Sequence, residues 1–203
     1  MPDTQTPQNA LASLIKAAKE AGDGALPVEK WHPEFCGEMD MVIRKDGSWW
    51  HEGSQITRAP LVKLFSSVLR KDEDGHHYLV TPAEKIRIRV ECAAFMAMRV
   101  DVENAGEEQV LFFTLITGEV VELGANHALR VETDADSLEP TPLLHVRGRL
   151  EALLMRPVFY ELVEYAQEIK TKHGVQLGVK SNGIFFPLGP ANIHVGIDSD
   201  EAE

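Results

Sequence analysis

A chain of 203 residues, 44% apolar with a formal net charge of −12, can bury a sizeable core as one domain or two small ones. That charge argues against a non-specific nucleic-acid binder, which draws its affinity from basic surface. No apolar run approaches the roughly 20 residues that span a bilayer, and the N-terminus lacks the basic and apolar regions of a signal peptide, so no membrane partner and a cytoplasmic location are expected.

In chain order, Leu11, Leu14, Ile15 and Ala18 recur at helical spacing before Gly22, which predicts an amphipathic helix over 8–21. A loop containing Pro27, Trp31, His32, Pro33 and Phe35 follows. Strands over 39–43 and 49–51 flank Lys45-Asp46-Gly47, a hairpin signal because Asp and Gly both tolerate positive φ. Trp49 and Trp50 alternate across the second strand, so one faces the core and the other a cleft or solvent. Thr57 is placed to cap a helix, with Pro60 in its first turn, Leu61, Leu64, Phe65, Val68 and Leu69 as its apolar stripe, and residues 71–75 as its end. A strand over 78–80 stops at Pro82.

The middle of the chain reads as β. Ile86, Ile88 and Val90 alternate with Arg87, Arg89 and Glu91, and Met96, Met98, Val100 and Val102 repeat the pattern. Thr117-Gly118 joins strands over 110–116 and 119–123. After an acidic, Pro-containing loop, a strand over 144–150 precedes a helix opened by Pro157, and strands over 177–179 and 184–186 close the fold, leaving a small, polar tail over 189–203 expected to fray. Cys36 and Cys92 stand singly among apolar neighbours and are expected to be buried, reduced thiols.

Lys and Arg outnumber Asp and Glu over 44–89, whereas Arg130 is the only cation over 101–139. An anionic ligand is therefore expected near the first segment, and the second reads as solvated surface. A weak internal repeat aligns Thr57-Arg58-Ala59-Pro60 with Met155-Arg156-Pro157: each unit reads as strand, Arg at a helix start, helix, Gly turn and strand.

Gly37-Glu38-Met39-Asp40-Met41, Asp46-Gly47-Ser48-Trp49, His51-Glu52-Gly53, Ile56-Thr57-Arg58, Leu79-Val80-Thr81-Pro82-Ala83-Glu84-Lys85 and Gly183-Ile184-Phe185-Phe186 together resemble a bacterial family known as domain of unknown function 1285. Arg147, Arg149 and Arg156, with Tyr160-Glu161-Leu162, resemble its second half. The resemblance implies an α+β fold of two domains, 1–84 and 85–203, built on a duplicated β-α-β motif. It implies a second domain like a pleckstrin-homology barrel, a cleft between the domains for a nucleotide-like ligand, and a part in signalling.

The residues themselves supply the chemistry such a site needs. Arg58 and Arg156 stand at helix starts, where free N–H groups and the helix dipole already favour anions; the competing reading is an ion pair across a domain seam. Thr81, Glu84 and Lys85 offer hydroxyl, carboxylate and ammonium, with Lys85 suited to a phosphate, although a Thr-Pro turn bonded to its own backbone accounts for the Thr equally. Trp49, His51 and Arg147 complete the candidate binding set. No metal constellation, Walker loop, G-x-S-x-G or G-x-G-x-x-G is present, so no metal or cofactor is expected. Three functions follow: a non-enzymatic module binding a phosphate-bearing ligand, a hydrolase-type enzyme using Glu52 or Glu84 as base with His51, and a protein-interaction domain.

Overall fold

Alternation of apolar and polar residues builds two six-stranded sheets, each made of two antiparallel three-stranded meanders. The computed structural model describes residues 15–16, 26–106, 108–137, 139–171 and 174–191. The helix expected over 8–21 lies outside these except at Ile15 and Lys16, which are helical, and the expected tail lies outside them beyond residue 191.

In the first domain a single 3-10 turn (Val28–Lys30) leads to β1 (Phe35–Ile43), β2 (Trp49–His51) and β3 (Ser54–Gln55). Helix α1 (Ala59–Ser67) then carries the chain to β4 (Leu69–Lys71), β5 (His77–Val80) and β6 (Lys85–Val90). The order is β3-β2-β1-β6-β5-β4, and the two meanders meet in one parallel pair, β1 with β6. A domain boundary after residue 84, as expected from the sequence, would cut β6 from both its partners; the first sheet runs on to Val90.

The second domain repeats that plan. β7 (Phe95–Glu103), β8 (Val110–Leu115) and β9 (Val120–Glu122) form one meander, β10 (Leu129–Thr133), β11 (Pro140–Arg147) and β12 (Leu150–Leu154) the other. The order β10-β11-β12-β7-β8-β9 again meets in a parallel pair, β12 with β7. Helix α2 (Arg156–Glu164) leads to a third, antiparallel sheet of β13 (Gln167–Thr171), β14 (Gly174–Ser181) and β15 (Ile184–Pro190). The buried Ser181 hydroxyl ties that sheet to the second, donating to the Leu123 carbonyl at 2.7 Å and accepting from the Leu111 N–H at 3.0 Å.

The fold is thus two-domain and mostly β, with few helices. The repeat lies in the strand order of the sheets and not in the Arg58 and Arg156 units singled out in the sequence. α1 joins the third strand of its sheet to the fourth, whereas α2 follows the sixth strand of its own and feeds a separate sheet.

Local departures from the sequence reading have physical causes. The N-cap of α1 is Arg58 without a side-chain cap bond, so Thr57 lies one step outside the helix and its hydroxyl does not cap it. The helix ends at Ser67, because pairing with β5 captures residues 69–71 as a strand, and the expected stop over 71–75 is the β4–β5 turn. Phe65 and Val68 are fully buried, while Leu61 and Leu64 are only half-buried. A bulge between Ala97 and Arg99 breaks the alternation in β7 and turns Met98 outward. The strand expected over 144–150 is broken at Gly148 (φ +53), which turns β11 back into β12.

The buried residues of the two domains form one continuous core, from Trp49, Phe65 and Leu79 to Phe95, Leu144 and Leu154. Trp49 stacks on Phe65 (centroids 6.1 Å apart, planes at 23°) within it. Gly47, at the β1–β2 turn with φ +79, sits so close to the second domain that a Cβ there would lie 2.4 Å from Met96 Cγ. Gly47→Ala therefore meets both a disfavoured backbone and a clash across the seam. Urea unfolding is expected to show a loss of about 1–3 kcal/mol; an unchanged midpoint would contradict this packing.

Candidate functional site

The residues singled out from the sequence are dispersed. Trp49 is 2% exposed and packs in the core, where no ligand reaches it; Trp50, on the opposite face of β2, is the outward indole. Thr81 is fully buried, and its Oγ1 accepts the N–H groups of Glu84 (3.1 Å) and Ala83 (3.3 Å), the self-bonded turn that competed with a ligand role. Glu84 closes the same turn through its carbonyl, which accepts from the Thr81 N–H at 2.9 Å. Arg147 donates to the Ser66 carbonyl (2.7 Å) and to Glu119 (2.9 Å) while lying 4.9 Å over the Phe95 ring. Arg156 pairs with Glu139, and Arg58 is exposed at the start of α1. His51 places Nδ1 3.0 Å from the Asp40 carbonyl, across the β1–β2 pair.

Lys85 belongs to a structural network. Its ammonium pairs with Asp72 and lies 4.1 Å over the Tyr78 ring. Arg70, 6% exposed, donates to Asp72 (2.6 Å) and to the carbonyls of Val28 (2.8 Å) and Trp31 (2.7 Å), holding the entering chain against the sheet. Burial alone would raise the Asp72 carboxyl, but hydrogen bonds from Arg70 and Lys85 outweigh it and hold the group below the ordinary carboxylate range. The Tyr78 hydroxyl is pushed up to about 12, chiefly by its hydrogen bond to Asp74, with burial adding to it.

What the structure does bring together is a groove of about 780 Å³ along the β1–β6 pair. It opens there because the pairing is irregular: Glu38 faces Arg87 and Val42 faces Arg89, so four steps of β1 run beside two of β6 and the strands splay. Lys71, His76 and His77 of the β4–β5 hairpin form its far side. Arg87 pairs with Glu38. Arg89 is exposed and has no hydrogen-bond or ion-pair partner among the described residues. Burial, reinforced by Lys71 and His76, pushes the His77 imidazole down to about 4, so the ring is neutral at physiological pH.

Trp50, Val42 and Arg89 are register partners across three adjacent strands, so their side chains rise from the same face. Arg44 lies 3.7 Å over the Trp50 ring. Cys92 is on the groove lining, and both cysteines are exposed, not buried. They also stand at opposite ends of β1, since Val90 pairs with Ile43. Seven strand residues separate the two by roughly 20 Å, far beyond disulfide reach. Among the described residues no group of three or more His, Cys, Asp or Glu is placed to hold a metal, and no helix is long and apolar enough to cross a membrane.

Arg89, Lys71, His77 and Trp50 stand outside the candidate binding set drawn from the sequence, which took Trp49 of the two alternating indoles. Its usable signal was there: the arginines alternating with Ile86 and Ile88 announce a charged face of a strand. What it lacked was the irregular register that opens this face into a groove.

These features define a class: a two-domain, mostly β protein whose two large sheets each close through a parallel pair, with a charged groove on the first. The chain belongs to the DUF1285 family. Residues 26–93 match that family's N-terminal domain, described as a domain of unknown function, and residues 94–188 match its C-terminal domain, described as a protein of unknown function. The junction falls between β6 and β7. The chain is similar to the crystal structure of a DUF1285 family protein from Silicibacter pomeroyi DSS-3, with 40% sequence identity, a TM-score of 0.80, and 88% of this chain and 95% of that chain covered. A DUF1285 family protein from Shewanella baltica OS155 aligns at 25% identity over 62% of this chain and 91% of that chain, with a TM-score of 0.47. No curated protein matches this chain.

The Asp72 network makes a pH-dependent contribution with a definite sign. A carboxyl held low in the folded state stabilises it above the ordinary carboxylate range, and the contribution is lost as pH falls through the depressed folded value. Asp72→Asn is expected to lower stability at pH 7 by about 1–3 kcal/mol and to differ less from wild type as pH drops below about 4. A deficit that stays constant in denaturant titrations from pH 7 to pH 3 would contradict this.

Proposed function

We propose that this chain is a non-enzymatic binding protein for a phosphate-bearing, nucleotide-like small molecule, acting in the cytoplasm with a signalling output. The observation that carries the reading is Arg89: a guanidinium with no partner among the described residues, on a groove in a chain of net charge −12. A guanidinium fork can hold a phosphate through two parallel N–H bonds. Trp50, on the same face as Arg89, offers an indole to a base, while Lys71 and His77, register-linked to Ile88, line the groove from the opposite face of the sheet. Arg44 stacks on that indole already, so a base displaces it or takes the other side.

The reading puts the ligand in this groove and not at the seam between the domains, because Arg147 is engaged there by Ser66 and Glu119 and Arg156 by Glu139. The shared strand order of the two sheets supports descent by duplication. A sheet followed by a helix supports the likeness of the second domain to a pleckstrin-homology barrel. A second reading, protein docking, is favoured by Met98, Ile116 and Met155, exposed around one end of β7, where the Ile116 and Met155 N–H groups donate to Met96 and Ala97.

The test is a thermal-shift titration of wild type, Arg89→Ala and Arg156→Ala with inorganic phosphate, pyrophosphate and nucleoside mono- and diphosphates. A ligand that binds only the native state raises its stability by RT ln(1 + [L]/Kd), and with it the melting temperature. At least one nucleotide is expected to do so, with affinity about tenfold weaker in Arg89→Ala, as for loss of a charge-assisted hydrogen bond, and unchanged in Arg156→Ala. If no phosphate compound shifts the wild type, or Arg89→Ala binds as well as its parent, the reading falls.

A further inference from the structure

The turn between β11 and β12 reaches from the second domain onto the first at three successive residues. Arg147 donates to the Ser66 carbonyl at the end of α1 (2.7 Å), and Arg149 to Glu73 in the β4–β5 turn (2.6 Å). Gly148 between them passes so close to Glu29 that a Cβ would lie 2.3 Å from its Oε1. From inside the second domain, one side chain props this turn. His145 has Nε2 2.9 Å from the Gly148 carbonyl and Nδ1 2.9 Å from the Asn126 carbonyl. Both partners are acceptors only, and a neutral imidazole has one N–H to give. In the neutral ring one nitrogen lone pair would face a carbonyl lone pair; only the imidazolium satisfies both.

We infer that the β11–β12 turn is a proton-operated latch on the seam between the domains, shut while His145 carries a proton on both ring nitrogens and loosened when one leaves.

The groups around the ring are consistent with a positive charge there. Glu151, its register partner on β12, faces it from the same side of the sheet. That carboxylate is held by Arg130 through two bonds of 2.8 Å, which keep it below the ordinary range and so ionised. His127 stacks on His145 at 5.8 Å and places its Nδ1 3.2 Å from the His145 carbonyl, to which only a protonated Nδ1 can donate, while Lys71 acts on Glu151 from the first domain. Opening the turn would release Arg147 from Ser66 and uncover the Phe95 ring beneath it. The inference stands apart from ligand binding in the groove and survives its failure.

The test is amide hydrogen exchange at residues 147–150 between about pH 5 and 8, corrected for the intrinsic rise of exchange with pH, in wild type, His145→Gln and His127→Gln. Protection in the wild type is expected to fall about tenfold across that range, the size of one lost hydrogen bond to a charged group. His145→Gln should be poorly protected throughout and insensitive to pH, and His127→Gln should respond like the wild type. A flat wild-type profile, or a His145→Gln profile that follows the wild type, would overturn the latch. Should His145→Gln not fold, the ring nitrogens of the wild type decide the matter by heteronuclear NMR. An imidazolium signal for His145 at the acid end of the range supports the latch, and a neutral tautomer throughout overturns it.

Discussion

Each domain is closed by one contact: the parallel pairing of the first strand of one meander with the last strand of the next, β1 with β6 and β7 with β12. Every other strand pair in the two large sheets is antiparallel and joins neighbours in sequence, and so forms by local turns. The parallel pairs are the long-range step, bringing residues far apart in the chain side by side. In the second domain this pair is regular, Phe95 to Ala97 beside Ala152 to Leu154. In the first it is not, and the strands splay between Glu38 and Val42. The groove is thus a local failure of the contact that the domain depends on, tolerated because Met39, Met41, Ile86 and Ile88 stay buried on the other face.

The seam between the domains is built for packing. Trp49 and Phe65 on one side and Phe95 and Leu154 on the other belong to one core, and a continuous apolar interface holds domains in fixed relation. Its polar rim uses the arginines that a ligand site would need. Arg147 satisfies the last turn of α1 through the Ser66 carbonyl and lies over Phe95, where the charge neutralises Glu119 and the stem covers apolar surface. Arg70 does the equivalent on the far side of the first sheet, tying the 3-10 turn to Asp72. In both cases a guanidinium adds a charge-assisted hydrogen bond to backbone carbonyls at the end of a helical turn.

Much of the fold was legible in the residues. Asp46-Gly47 and Thr117-Gly118 made the hairpins their turn chemistry predicts, Pro60 and Pro157 opened helices, and Ile86 and Ile88 buried while Arg87 and Arg89 did not. Periodicity could not reveal where pairing overrides it. Leu69 looks helical from its spacing but pairs with Leu79, and Met98 looks buried until a bulge shifts its parity. The candidate site was less legible, for a related reason. Charge pattern pointed to segment 44–89, which carries Lys71, Arg87 and Arg89 of the groove, but Lys85 and Thr81 are absorbed by local hydrogen bonds and Trp49 by the core. The neighbours Arg89 and Trp50 gain their interest from a row across three strands, and such rows are set by register.

The central claim is that the splayed β1–β6 pair of the first sheet is the binding surface of this protein. Amide and indole chemical-shift mapping tests it most directly, using isotope-labelled full-length chain titrated with a nucleoside diphosphate. The account expects saturable shifts at residues 38–42 and 87–92 and at the Trp50 indole N–H, with the Ser66, Phe95 and Arg147 amides unmoved. Shifts centred on Ser66, Phe95 and Arg147, or none at any residue, would contradict it.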